Sequence, residues 1–355
     1  NDGTVALGAG QVLENAGTLS LSGTITGDVT NTNDFTVDGA TANVSGTLTN
    51  LPTGTATIGS DFAAGGIANS GDFDLNSGTT TVTGGTTNNG GTFDIANGAT
   101  LDTTGVFLTR NTGTLTTIDG VVQGDANALD SGGIDLNSTG NITGDLLVDD
   151  ASADLTGNVD GNLINRNGGD VDVTGSMTLG GNLTNQAVLD VTGLGTVMTV
   201  TGTGSNNLGG SLTIGAGSEL SLGTLVNTGA GSVSTVNGTL TGDATNLADG
   251  QLIVNTGGEV TGTTTVESGT VTNTGGTLTG LSTVNGGTLT NAATMGDAQV
   301  NGGTLDTSVA AGNITNDGGD VDITGGTVAS LTNTSGTSDV TGGGEVTGTT
   351  TVESG

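Results

Sequence analysis

The feature that most constrains this chain is a short phrase, an apolar residue followed by Thr-Asn or a close relative, that returns along its whole length. It stands at Val29-Thr30-Asn31, Leu48-Thr49-Asn50, Ile67-Ala68-Asn69, Leu163-Ile164-Asn165 and Leu183-Thr184-Asn185. Further copies are Leu225-Val226-Asn227, Ala244-Thr245-Asn246, Val271-Thr272-Asn273, Leu289-Thr290-Asn291, Ile314-Thr315-Asn316 and Leu331-Thr332-Asn333. Neighbouring copies lie 19 or 20 residues apart where they match best (Asn31 to Asn50 to Asn69, Asn165 to Asn185, Asn227 to Asn246). Degenerate copies near Asn111, Asn127, Asp149 and Asn207 would bring the mean spacing to about 20 residues, the signature of a repeat architecture.

After each phrase comes a stretch that alternates apolar and polar and closes on Gly, as in Asp170-Val171-Asp172-Val173-Thr174-Gly175 and Asp320-Val321-Asp322-Ile323-Thr324-Gly325. Alternation with period two, bounded by Gly, Asn, Asp and Ser, is a strand pattern. No window combines a 3.6-residue period with good helix formers. Two or three short strands per repeat cannot bury an apolar face alone; stacking each repeat on the next buries it and pairs each strand with its equivalent one turn away, in the same direction. The expected fold is therefore all-β, a right-handed parallel β-helix (β-solenoid) of about 20 residues per coil. The hand follows the usual right-handed crossover. Residues 1–355 are expected to form one continuous solenoid. At ~4.8 Å per coil, some 18 coils would span about 85 Å.

Within such coils the recurring asparagine has a structural role. Asn tolerates left-handed backbone and bonds locally at corners. Stacked on successive coils, the amides of Asn31, Asn50, Asn69, Asn165, Asn185, Asn227, Asn246, Asn273, Asn291, Asn316 and Asn333 would bond one another in a ladder. Phe35, Phe73 and Phe93 each fall four residues after Asn31, Asn69 and Asn89, and are expected to stack inside; a sugar-binding platform is the alternative.

Composition narrows function. The chain has 35 acidic residues against two basic ones, Arg110 and Arg166, and a formal charge of −33. Two guanidinium groups cannot displace the counterions of a nucleic acid, and anionic membranes are disfavoured likewise. No apolar run approaches a membrane-spanning helix, so this segment is not expected to insert into a membrane. With no His, Lys, Tyr or Cys, the usual acid–base menu shrinks to carboxylates, and thiolate or imidazole metal sites are ruled out. The Asp-x-Asp pairs Asp72/Asp74, Asp170/Asp172 and Asp320/Asp322 sit in the strand pattern with both members facing water, where nothing should raise a pKa. No catalytic residue is expected and the chain is read as no enzyme; cleavage of a polysaccharide by paired carboxylates is the minor alternative. No cofactor is expected apart from calcium. Its oxygen ligands could come from Asp149, Asp150 and Asp154 or from the pairs Asp170/Asp172 and Asp320/Asp322, against the reading of a solvated acidic face. Thr-x-Thr units at 24/26, 47/49, 55/57, 114/116, 239/241, 270/272, 277/279 and 288/290 raise an ice-binding grid, against the plain reading that Thr suits outward strand positions.

The Gly/Thr/Asn/Asp-rich coils, the Leu-Thr-Asn phrases and the lack of Cys resemble the β-helical passenger regions of bacterial autotransporters and large filamentous adhesins. That resemblance implies export across a Gram-negative envelope and display at the cell surface, as an extracellular structural or adhesive rod. Self-association, a host or abiotic surface, or a polysaccharide are the partners in view; an end-to-end polymerising subunit of a fibre, sheath or surface layer is the alternative. No translocator barrel accompanies the repeats, and lysine is absent, which is unusual for the family. Residues 258–269 recur nearly verbatim as 344–355, where the chain stops, so the sequence reads as an excerpt of a longer repeat protein. No charged and apolar leader stands before Asn1-Asp2-Gly3, as expected of a mature or excised form.

Overall fold

The computed structural model describes residues 3–39 and 41–353. Asn1 and Asp2, and the Ser354-Gly355 end of the near-verbatim repetition, lie outside the described residues. The described chain folds into 48 short β-strands and no helix. Strands of successive coils pair in parallel, so the fold is a parallel β-solenoid. Each coil has three faces. The first face begins Thr4–Ala6 and Thr24–Thr26, the second Val12–Asn15 and Asp28–Asn31, the third Thr18–Leu21 and Asp34–Val37.

The residues form two compact units, 1–172 with 176–181, and 173–175 with 182–355. In the first, the second face runs in register through Glu14, Thr30, Thr49, Ala68, Thr87, Leu108, Asn127, Leu147 and Ile164. In the second it runs through Thr184, Ser205, Val226, Thr245, Thr265, Thr283, Gln299, Thr315, Thr332 and Thr351. The steps between these partners range from 16 residues (Glu14 to Thr30) to 21 (Thr87 to Leu108). The wider gaps between asparagine phrases have a simple origin. The 27 residues from Asn246 to Asn273 lead from the second face to the third, so they are more than one coil.

A typical strand, Asp34–Val37, reads exposed, buried, intermediate, buried, because successive side chains point to opposite sides of a strand. The buried positions are aliphatic or aromatic, among them Leu21, Ile25, Val29, Val44, Leu48, Ile58, Leu101, Leu136 and Leu189. A coil in isolation would leave this interior open above and below. Stacking removes it from water at roughly 25 cal/mol per Å² of apolar area. The phenylalanines do pack inside. Phe73 and Phe93 are register partners with rings stacked at 4.7 Å. Phe35 meets Phe62 of the first face edge-on at 6.0 Å, and Phe107 of the second face leans on Phe93 at 5.0 Å.

Corners are tight enough to demand glycine. A Cβ on Gly71 would lie 2.2 Å from the Gly54 carbonyl oxygen, and one on Gly91 would lie 2.1 Å from that of Gly71. Side chains at this corner would therefore collide with the backbone of the previous coil. The longest connections between strands among the described residues, 7–11 and 192–196, have five residues.

Candidate functional surfaces

Most of the interior asparagines occupy the last inward position of the second face. In the first unit the Nδ2 of Asn15 donates to Asn31 Oδ1 at 2.7 Å, Asn31 to Asn50 at 2.8 Å, Asn50 to Asn69 at 2.8 Å and Asn69 to Asn88 at 2.9 Å. Each amide also donates to corner carbonyls, as Asn50 does to Gly54 O at 3.1 Å and Asp72 O at 2.8 Å. A buried amide is costly unless its hydrogen bonds are made; here each side chain closes the corner of its own coil and bonds the next. The run ends where Asn88 donates to Thr116 Oγ1 at 3.2 Å and the column continues as Thr109, Ala128 and Val148, before Asn165 resumes it. In the second unit Asn185 donates to Asn206 at 2.8 Å and Asn206 to Asn227 at 3.0 Å. Asn246 follows in register but donates to Thr270 O at 2.6 Å, and its successor is Val266. Asn316 donates to Thr337 O at 2.6 Å, and Asn333 to Gly336 O at 3.4 Å.

The ladder thus differs in detail from the sequence expectation. Asn273 and Asn291 bond each other at 2.8 Å but belong to the third face, following Val254 in register. Asn15, Asn88 and Asn206 were missed. The degenerate copies place their inward residue at Thr109, Ala128, Val148 and Asn206, one or two positions from Asn111, Asn127, Asp149 and Asn207, because inward and outward positions alternate.

A second column, at the corner entering the second face, carries Asp or Asn after Gly. Asp28 Oδ1 accepts from Thr47 N at 2.8 Å, Asp145 Oδ1 from Asn162 N at 2.7 Å, Asp243 Oδ1 from Thr263 N at 2.8 Å and Asp297 Oδ1 from Asn313 N at 2.7 Å. These carboxylates receive backbone donors that the turn frees from the sheet. The Gly-Asp pairs at 27–28, 144–145, 242–243 and 296–297 were the available signal.

The calcium candidates do not gather. Asp149 forms an ion pair with Arg166 (Oδ2 to Nε, 2.9 Å) and accepts from Asn167 Nδ2 at 2.8 Å. Asp150 is a corner residue with φ of 50°, beside a shallow depression of about 220 Å³ lined by Ser131, Asp150, Ala151, Ser152 and Gly168. Asp154 faces outward on the third face, in register with Asp135. Asp170 and Asp172 lie on that face too, Asp170 exposed and Asp172 half-buried. Asp320 accepts from Thr337 Oγ1 at 2.8 Å, and Asp322 stands in register between Asp306 and Asp339. Among the described residues no group of three or more acidic side chains is arranged to hold a metal ion.

Stacking corrects one expectation about these carboxylates. Partial desolvation, then the charges of Asp94 and Asp72, hold the Asp74 carboxyl above the ordinary range. Asp135 is raised by desolvation and then by Asp154. Asp322 is raised by desolvation and then by Asp320, Asp339 and Asp306. Parallel register places like residues one rung apart, ~4.8 Å, so outward carboxylates crowd their own copies rather than facing only water.

The threonine units divide among all three faces. Those at 24/26, 239/241 and 277/279 lie on the first, 47/49 on the second, and 55/57, 270/272 and 288/290 on the third; of these only the last two are adjacent in register. Thr114 and Thr116 are buried, with Leu115 outward, the reverse of the expected phase.

The fold defines the class: a parallel β-solenoid built from short, imperfect three-strand coils. Neither protein-family models nor curated protein sequences yield a match to the chain.

Proposed function

We propose that the chain is the structural or adhesive β-solenoid of an extracellular or cell-surface protein, with no catalysis of its own. The observation that carries this reading is the brevity of the connections: none between described strands exceeds five residues. Catalytic and ligand-binding residues are disproportionately borne by loops on a rigid scaffold, and loops this short raise no walls for a cleft. What the coils offer instead is a repeated surface of Thr, Asp, Asn and Gly whose extent grows with each added rung. Its high negative charge keeps such a surface soluble and suppresses non-specific association. Display outside a Gram-negative cell follows the resemblance to autotransporter and filamentous adhesin passengers; the partners would be a host or abiotic surface, a polysaccharide or a like chain. Calcium, the one cofactor in view, would bind at the aspartate-bearing third face.

Antibody labelling of intact and of lysed source cells tests the reading. Labelling and protease sensitivity on intact cells is the expected result. Signal only after lysis would overturn it.

A further inference from the structure

Asparagine followed by glycine is the pair in which a backbone nitrogen most readily reaches the side-chain amide before it, because glycine places no Cβ in the way. Six such pairs occur, at 89–90, 97–98, 167–168, 237–238, 285–286 and 301–302. In five of them the fold holds the asparagine side chain. Asn89 Oδ1 accepts from Asn111 Nδ2, and Asn167 Nδ2 donates to Asp149 Oδ1 at 2.8 Å. Asn237 Oδ1 accepts from Asn255 Nδ2 at 3.0 Å, Asn285 Nδ2 donates to Glu267 Oε1 at 2.8 Å, and Asn301 Nδ2 donates to Asn285 Oδ1 at 2.8 Å. Four of these pairs have the glycine nitrogen bonded as well. Gly90 N donates to Thr114 Oγ1 at 2.6 Å, Gly238 N to Ile214 O at 3.1 Å, Gly286 N to Val266 O at 3.3 Å and Gly302 N to Val284 O at 3.3 Å.

Asn97 differs. Neither its side chain nor Gly98 N makes a hydrogen bond among the described residues, and both residues are exposed. Register explains why. The corner joins the third-face strand Thr92–Ile95 to the first-face strand Ala99–Thr103. Leu75 pairs with Ile95 and Gly78 with Ala99, so the previous coil crosses with residues 76 and 77 where this one uses 96–98. Ile118 pairs with Ile95 and Val121 with Thr100, so the next coil crosses with 119 and 120 where this one uses 96–99. The surplus is thrown outward as a turn closed by Ala99 N to Ala96 O at 2.9 Å, with Gly98 at φ of 87° and nothing within 4 Å of its Cβ position.

We propose that Asn97 is a self-modification site, at which the folded chain deamidates without an enzyme and with water as co-reactant. No hydrogen bond has to break before rotation about the Asn97 Cα–C bond carries Gly98 N to Asn97 Cγ. A base from the buffer takes the Gly98 N proton, and the nitrogen attacks Cγ. The Cγ–Nδ2 bond breaks, the proton returns to Nδ2 and ammonia leaves, closing a five-membered succinimide. Water then adds to either ring carbonyl and opens it, giving aspartate at 97 or the isomer whose main chain runs through Cγ. One amide is exchanged for one carboxylate, and nothing is oxidised or reduced. The corner accepts the added charge, since the next coil crosses it on Asp119-Gly120. The site does not depend on where the chain resides.

Incubating the whole chain in mildly alkaline buffer made with heavy-oxygen water tests the site. Trypsin has only Arg110 and Arg166 to cut at, which separates Asn89 and Asn97 from the other four; tandem mass spectrometry then resolves those two. Position 97 is expected to gain one heavy oxygen at least tenfold faster than any of the other five, at a rate that rises with pH. In guanidinium sufficient to abolish the circular dichroism signal, the six rates should converge to within about threefold. Asn111→Gly/Thr114→Val frees both Asn89 Oδ1 and Gly90 N and should raise the rate at Asn89 at least tenfold with an unchanged spectrum. A folded chain in which Asn97 is no faster than the rest, a lead at Asn97 that survives unfolding, or an Asn89 unmoved in the folded double variant would overturn the proposal.

Discussion

Replacing Asn50 with valine isolates what the ladder contributes. Asn50 is fully buried, receives the Asn31 amide, and donates to Asn69 Oδ1, Gly54 O and Asp72 O. In Asn50→Val the Asn31 Nδ2 keeps Asn33 O at 2.9 Å and Thr55 O at 3.0 Å, and Asn69 Oδ1 keeps Gly71 N at 3.2 Å. Gly54 O and Asp72 O each lose the side-chain donor that closes their corner. Four side-chain hydrogen bonds are lost at about 1 kcal/mol each, roughly 4 kcal/mol together, and burying the valine returns about 2 kcal/mol, for a net loss of about 2 kcal/mol. The loss is local, because each rung contacts only its neighbours. Hydrogen exchange of the amides in residues 48–72 should accelerate by about 30-fold, at tenfold per 1.4 kcal/mol. Thr49→Val, outward on the same strand, should leave exchange within about twofold, since surface substitutions usually stay within ±0.5 kcal/mol. Protection unchanged in Asn50→Val, or an equal effect from Thr49→Val, would refute the reasoning.

Other outcomes follow from the same geometry. The Asp322 carboxyl is raised in the folded state, so its ionisation opposes folding; relative to neutral pH, stability is gained as pH falls through the raised value and is complete below the unfolded value of about 3.8. Asp322→Asn should therefore raise the melting temperature at pH 7 and leave it unchanged at pH 3, measured by differential scanning calorimetry. Gly71→Ala should prevent folding of its coil, because the new Cβ would sit 2.2 Å from Gly54 O, whereas Gly223→Ala meets nothing within 4 Å and should be neutral or stabilising by about 0.4–1 kcal/mol in urea titrations. Phe93→Ala removes the ring between Phe73 and Phe107 and should cost about 3–5 kcal/mol in the same titration.

The architecture was legible because period-two alternation and Gly-closed corners recur in every coil, and those two signals determine what is inside and where the chain turns. The face to which a strand belongs was less so. Thr270-Val271-Thr272-Asn273 reads like Asp28-Val29-Thr30-Asn31, yet the first lies on the third face and the second on the second. What precedes them differs: Gly27-Asp28 offers a carboxylate to Thr47 N at 2.8 Å, whereas Ser268-Gly269 before Thr270 offers none. Asn88 and Asn206 were hidden because Thr86-Thr87-Asn88 and Gly204-Ser205-Asn206 place a polar or small residue where the phrase requires an apolar one; Thr86 and Gly204 are nevertheless buried, since position decides burial. The raised carboxylates depended on register between coils, which a linear reading does not supply.

The central claim is that residues one coil apart are lateral neighbours in parallel register. Thr49 and Ala68 are such partners on the second face, 19 positions apart in sequence. The chain carries no cysteine to interfere. Adjacent parallel strands at ~4.8 Å fall within the Cα separation a disulfide tolerates, about 4.4–6.8 Å. In Thr49→Cys/Ala68→Cys an intramolecular disulfide should form readily on mild oxidation, whereas Thr49→Cys/Thr87→Cys, two rungs apart at ~9.6 Å, should remain reduced. A pair at 49 and 68 that stays reduced, or a bond that forms equally well between 49 and 87, would contradict the stacked-coil account.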